Sequence, residues 1–235
     1  VTVISDRATY EATATADNQP YVAQSTLRDI RDSKNYTIRK LADGNCWMTS
    51  NLKYSLSANS TRVGVNHSTN ETFEFNTGAA CSGNSDCIMN ANTVMTEHYD
   101  GYYYNWYAAT AGTGTSSMSS GDATGSICPK GWRLPANYTV DSTKSYGSIT
   151  DAYLGFHTNT SGNYIATLEA IPLNYRRTGN YRLGSLNWGG DSGPYWSTTV
   201  IAAKSVNILS YNTSLTNPQS SGSVQLGMPV RCVNN

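Results

Sequence analysis

The chain has 235 residues, 16 basic and 16 acidic, so its formal net charge is zero, and 14% of it is charged against roughly 25% in an average soluble domain. That balance leaves no electrostatic footprint for nucleic acid or an anionic membrane surface. No run of about 18 apolar residues is present to span a bilayer, and the length suits one large domain or two small ones with a real core.

Ser, Thr, Asn and Gly fill the charge deficit, and 17 Tyr stand against 3 Phe. Phe packs a core as well as Tyr without a hydroxyl to satisfy, so the excess points to places where an apolar body meets a wet surface. The N-terminus, Val1-Thr2-Val3-Ile4-Ser5, lacks the charged and apolar regions of a signal peptide. An exported protein would carry its signal or anchor outside these residues.

Residues 1–26 are polar and Thr/Ala-rich, an arm with room for a short strand near Ala8–Ala16. In the next stretch Asp32-Ser33-Lys34-Asn35 is a turn between two short runs, and Tyr36, Ile38 and Lys40 alternate with Thr37, Arg39 and Leu41, a hairpin signal. Ala42-Asp43-Gly44-Asn45 is a second turn, and Cys46-Trp47-Met48 a third, apolar strand. Ser55–Asn90 reads as loop, with a small strand at Thr72-Phe73-Glu74-Phe75. Met95–Ala111 holds Tyr99, Tyr102, Tyr103, Tyr104, Trp106 and Tyr107. Arg62 is the lone cation between Lys53 and Lys130, so a base-stacking platform would lack phosphate contacts, and the cluster is assigned to the core.

Thr110–Ser126 is a Gly/Ser/Thr-rich loop, a helix is expected around Ile149–Phe156, and Tyr164–Leu168 is a strand or helical turn. In the last third, Tyr195–Val200, Ser205–Tyr211 and Gly227–Val233 read as strands. Alternation along the second of these places Asn207, Leu209 and Tyr211 on one face, with Val206, Ile208, Ser210 and Asn212 on the other. Five cysteines make an odd set. Cys81 and Cys87 bracket a short polar loop and read as a local disulfide, since the second close pair or histidines of a zinc site are missing. Cys128 and Cys232 are placed to clip a long loop, which leaves Cys46 either buried as a small hydrophobe or exchanging roles with Cys128. An oxidising, extracellular setting suits this usage.

Six ordered words then carry a resemblance: Asp29-Ile30-Arg31-Asp32-Ser33-Lys34-Asn35-Tyr36; Lys40-Leu41-Ala42-Asp43-Gly44-Asn45-Cys46-Trp47-Met48-Thr49-Ser50-Asn51-Leu52; Tyr104-Asn105-Trp106; Cys128-Pro129-Lys130-Gly131-Trp132-Arg133-Leu134-Pro135; Tyr195-Trp196-Ser197-Thr198-Thr199; and Val230-Arg231-Cys232-Val233. Together they resemble the Fibrobacter-type major paralogous domain, a bacterial surface family, over about residues 27–235. The resemblance implies a C-type lectin-like fold: α+β, mostly β, with long loops and one or two helices. It further implies paired N- and C-terminal strands, a ligand site in the last third, and a Cys128–Cys232 bridge. The segment Asn174–Gln225, candidate display region 174–225, is similar to the variable region of proteins diversified by retroelements, in which adenine-directed mutagenesis scatters residues at Asn-type codons.

His67, His98 and His157 lie far apart without Cys or His at ligand spacing, so neither metal nor cofactor is expected. Asp191-Ser192-Gly193 lacks the frame of a serine nucleophile and reads as a turn. The lectin-like scaffold also hosts formylglycine-generating oxidases, which need a cysteine pair. The Glu-Pro-Asn, Gln-Pro-Asp and Trp-Asn-Asp words of calcium-dependent sugar binding are missing, and Asn217-Pro218-Gln219 is only a distant echo. What remains is an outward set: Arg182, Leu183, Trp188, Asp191, Ile201, Lys204, Val206, Ile208, Ser210 and Asn212. Trp and Arg are the usual anchors of interfaces, and a rigid sheet keeps the entropic cost of binding low. Outward Val206 and Ile208 would be an apolar patch awaiting a partner; the competing reading has them covering a second core with Asn207 facing water. The expectation is a non-catalytic, exported recognition or adhesion protein that binds a protein or glycan on another cell surface. The alternatives are a structural surface module with neutral loops and an oxidase relative.

Overall fold

The computed structural model describes residues 13–14, 20–21, 24–54, 61–66, 71–76, 101–115, 117–137, 143–182 and 185–235. The Cys81/Cys87 pair, His67, His98 and Tyr99 fall outside these, as does most of residues 1–26. In chain order the strands begin with β1 (Thr13–Ala14), β2 (Pro20–Tyr21), β3 (Gln24–Arg28), β4 (Asn35–Lys40), β5 (Cys46–Met48), β6 (Thr61–Asn66) and β7 (Glu71–Asn76). The middle of the chain supplies helix α1 (Trp106–Ala109), β8 (Gly121–Asp122), β9 (Gly125–Ser126), β10 (Trp132–Arg133), α2 (Tyr146–Leu154), β11 (Thr160–Ser161) and α3 (Ile165–Glu169). The last third adds β12 (Asn180–Arg182), β13 (Ser185–Asn187), β14 (Tyr195–Ala202), β15 (Ser205–Tyr211), β16 (Leu215–Ser223) and β17 (Val233–Asn234). The fold is α+β and mostly β.

The expected meander forms the first sheet, ordered β10-β17-β5-β4-β3. Leu27 pairs with Tyr36 across the hairpin, and its turn closes through the Asp29 N–H to the Lys34 carbonyl, 2.8 Å. All three residues of β5 are buried because both its faces are packed, Cys46 and Met48 in one core and Trp47 in the other, which removes the alternation a half-exposed strand would show. The C-terminal strand thus sits inside a sheet built from the first strands. Cys128 and Cys232 form a disulfide with a sequence separation of 104, and both residues are fully buried. It joins the approach to β10 to the approach to β17. Cys46 is outside this bridge and buried, the first of the two roles expected for it.

A second sheet, β11-β16-β15-β14-β8, carries a core on each face. Trp196, Val200, Val206 and Ile208 pack with Trp106, Met228 and Tyr104 on one side. Tyr195, Leu209 and Tyr211 pack with Trp47, Tyr146 and Tyr175 on the other. The aromatic cluster after Met95 is core where it is described: Tyr103, Tyr104, Trp106 and Tyr107 are buried. Its polar ends find backbone partners. The Trp106 indole donates to the Ser197 carbonyl at 2.9 Å, and the Trp196 indole to that of Tyr104 at 2.6 Å. Helix α1 is capped by Asn105, whose Oδ1 accepts from the Ala108 N–H, and α2 by a Ser145/Ser148 capping box, with Gly155 in the left-handed conformation at its end.

Several elements differ from the sequence expectation: β6, β8 and β9 stand in stretches expected to be loop, and two further differences bear on the site. Gly227–Val233 is strand only at Val233–Asn234, while Gly227 and Met228 make single bridges to Tyr181 and Tyr104. Pro229 has no N–H to extend a ladder. Conversely, polar Leu215–Ser223, where the sequence predicts no strand, is the nine-residue strand β16. Its Pro218 is accommodated where the register with β15 shifts, between the Ile208–Ser220 and Ser210–Asn217 pairs.

Candidate functional site

The candidate surface is assembled from turns that the two cores hold in place. Beneath it lies Arg231, which is 1% exposed. Its Nε donates to Asn51 Oδ1 at 2.9 Å, Nη1 to the Leu173 carbonyl at 2.6 Å, and Nη2 to the Asn174 carbonyl. The guanidinium also lies over the Tyr175 ring, 4.4 Å from its centroid, and over the Tyr195 ring at 5.5 Å. Burial raises the pKa of both tyrosines, and the Arg231 cation opposes that rise. The Tyr195 hydroxyl in turn accepts from the Arg176 N–H and donates to the Arg176 carbonyl, each at 2.9 Å. A word of the C-terminal motif thereby fixes the Leu173–Arg176 segment that leads to the display turns.

The main turn runs from Trp188 to Gly193. Trp188 is 66% exposed and has φ 55°, a left-handed conformation that costs a non-glycine residue on the order of 1–2 kcal/mol. The turn is pinned at several points. Asp191 and Ser192 N–H groups donate to the Trp188 carbonyl, Gly190 N–H to that of Arg177, and Gly179 N–H to that of Ser192. A Cβ on Gly179, itself at φ 67°, would lie 2.2 Å from the Asn187 carbonyl oxygen, so only glycine lets the two backbones meet. A second display turn joins β14 to β15, where Ile201 is 44% exposed and exposed Lys204 has φ 61°. The β12–β13 hairpin adds exposed Arg182 and Leu186. Both hairpins attach to one short segment. The Val224 N–H donates to the Lys204 carbonyl, and Gly227 exchanges two bonds with Tyr181. Val224 and Gly227 are three residues apart, so at most about 11 Å of chain separates those attachments.

Of the expected outward set, Arg182, Trp188, Asp191, Ile201 and Lys204 are exposed, and Ser210 and Asn212 are half-buried. Leu183 lies outside the described residues. Val206 and Ile208 are a correction: at 0% and 4% exposure they are core. Strand β15 runs between β14 and β16 with packing on both faces, so its alternation divides two cores and not core from solvent. Asn207 is buried as well, its carbonyl accepting from Ser197 Oγ at 2.6 Å. Sequence reasoning missed Arg176, exposed on the segment before β12, and Leu186, exposed on a hairpin that is bridged to Gly227, a contact without any local sequence signal. Asp191-Ser192-Gly193 is a turn. Among the described residues no three His, Cys, Asp or Glu side chains gather as a metal site, and no helix is long and apolar enough to cross a membrane.

With this geometry in hand, comparison with known families gives one match: the model described as the Fibrobacter succinogenes major domain covers residues 42–234. The chain belongs to that family. The Fibrobacter succinogenes major domain therefore spans the meander from its second turn, most of both cores and all the display turns. No curated protein and no solved structure matches the chain.

Proposed function

We propose that this member of the Fibrobacter succinogenes major domain family is an exported, non-catalytic recognition protein. Its C-type lectin-like scaffold displays a surface from the last third that binds a protein or glycan on another cell, and a retroelement diversifies that surface. The observation that carries the reading is the turn at Trp188. A large aromatic residue is held mostly in solvent, on a backbone conformation unfavourable for it, by hydrogen bonds within the turn and to the neighbouring Arg177–Gly179 segment. A fold gains nothing internally from such an arrangement, whereas a binding surface gains a pre-organised anchor.

Placement of β17 beside β5 supports the lectin-like reading, and a buried disulfide supports export to an oxidising compartment. Diversification is supported by Asn and Tyr standing beside unrelated residues between the Tyr195–Val200 and Pro229–Val233 frames. The positions open to it without repacking a core are the exposed ones, including Arg182, Trp188 and Lys204. The experiment uses labelled protein on a panel of intact bacterial cells and on a glycan array, with wild type compared against a Trp188→Ala, Ile201→Ser variant of unchanged melting temperature. Binding that the variant loses supports the reading; undiminished binding, or none to either panel, removes it in favour of a structural surface module. Sequencing the gene's neighbourhood tests the retroelement: a reverse transcriptase and a near-copy template differing at adenines are expected. An oxidase would instead show an accessible, reducible cysteine pair on thiol titration of the native protein.

A further inference from the structure

The charge carried by the display turns names the chemistry of their partner, an inference that rests on the recognition reading above. From Ile171 to the C-terminus the chain holds Arg176, Arg177, Arg182, Lys204 and Arg231 against a single acid, Asp191. A chain of zero net charge is thus divided into a positive last third and a negative remainder. Two of those cations are engaged inside the fold. Arg231 is buried in its clamp, and Arg177 Nε sits 2.9 Å from Glu169 Oε1. Arg176, Arg182 and Lys204 are exposed, and none of them forms an ion pair among the described residues.

We propose that the partner is a protein with an acidic surface, docking across the Trp188 turn, the β12–β13 hairpin and the β14–β15 turn. Charge complementarity is the first argument: Arg182 and Lys204 on the two hairpins and Arg176 on the segment hydrogen-bonded to the Trp188 turn form no ion pair among the described residues, and with Asp191 as the single acid they favour a negative face and disfavour a positive one. The second comes from the apolar residues among them. Leu186 is 41% exposed and Ile201 44%, and aliphatic side chains gain from apolar partner atoms that a hydrated acidic glycan offers sparsely. The third is extent. The two hairpins are tied to Val224 and Gly227, which brings their attachment points within about 11 Å of chain of each other. A standard protein interface, about 800 Å² on each side, is wide enough to span that distance.

The test is selection of a random linear-peptide library displayed on phage against the wild-type protein, counter-selected on Trp188→Ala. Peptides that require Trp188 are expected to be net acidic with interspersed apolar residues. Against those peptides Arg182→Glu with Lys204→Asp should weaken binding at least about tenfold, Asp being tolerated at a positive φ. Asp191→Asn should tighten it about twofold or more, a sign-specific change that general damage to the fold would not produce. Melting curves accompany every variant, and if Trp188→Ala does not fold, the opposite responses of the two charge variants decide alone. Trp188-dependent peptides that are neutral or basic, or a weakening by Asp191→Asn, overturn the acidic partner and leave the recognition reading standing. Direct Trp188-dependent binding of polygalacturonate with no peptide selected also overturns it, in favour of an acidic glycan. No Trp188-dependent binder of either kind removes both.

Discussion

Replacing Arg231 by Met should destabilise the domain by about 4 kcal/mol. Methionine fills much of the volume but leaves Asn51 Oδ1 and the carbonyls of Leu173 and Asn174 without their donor. A buried polar atom left unpaired costs about 1–3 kcal/mol, and losing a desolvated stack on Tyr175 adds about 2. Against this, the variant no longer has a charge to desolvate, which brings the expected net loss into the range of about 3–5 kcal/mol seen when one member of a buried ionic cluster is removed. For a chain of this size each kcal/mol shifts the melting temperature by about 2–4 °C, so a fall of about 8–16 °C is expected by circular dichroism, with a matching drop in the urea midpoint. Arg231→Lys should fall between, because an ammonium keeps the charge but cannot reach three acceptors at fixed fork geometry. Hydrogen exchange at the Gly190 amide, which bonds the Arg177 carbonyl, should quicken in both variants. An Arg231→Met protein within about 1 kcal/mol of wild type would refute the clamp.

Ile208→Ala should cost about 2–5 kcal/mol in stability by opening a cavity beside Trp196 and Met228, and should leave affinity per folded molecule unchanged; lost binding in a protein of unchanged melting would put Ile208 back on the surface. Removing the Cys128–Cys232 bridge by replacing both with Ala should lower stability by about 4–5 kcal/mol on loop entropy, and denaturation in reductant should show the same loss in wild type. Gly179→Ala should displace the Trp188 turn, because the new Cβ meets the Asn187 carbonyl at 2.2 Å, and is checked by loss of cell binding together with a lower melting temperature. Burial raises the pKa of the Tyr104, Tyr146, Tyr175, Tyr195 and Tyr211 phenols, while in the unfolded chain they ionise near about 10. Unfolding therefore releases protons above that pH, and stability falls as pH rises through and beyond it. Tyrosinate absorbance should show an early, gradual phase from exposed tyrosines and a late cooperative one coincident with unfolding. A single gradual titration of all 17 with the fold intact would contradict the burial.

The sequence by itself determined the local elements and the motif words. The β3–β4–β5 meander, α2, β14 and β15 were legible because their turns and apolar periods lie within a few residues, and the cysteine left outside the long clip is indeed buried. The Cys128–Cys232 bridge came from the family resemblance, and the structure forms it. The sequence also located the exposed charges and aromatic of the display turns, since Trp188-Gly189-Gly190-Asp191 and Ala203-Lys204 stand where no period continues.

What only the tertiary structure decided is which face of a strand meets solvent. The same alternation in β15 serves a one-sided sheet or a strand between two cores, and the choice depends on helices and loops far away in sequence: Trp106 on one side, Tyr146 on the other. Strand β16 was invisible for the same reason, because a polar segment with a proline becomes a strand only through the ladder that β15 offers it. The exposure of Leu186 and the proximity of the two hairpins likewise come from the bridge between Tyr181 and Gly227, far apart in sequence, and from the Val224–Gly227 segment the hairpins share. Hydrogen bonding and apolar burial are satisfied by whichever partners the fold brings near, so short-range pattern names the pieces and long-range packing assigns them inside or outside.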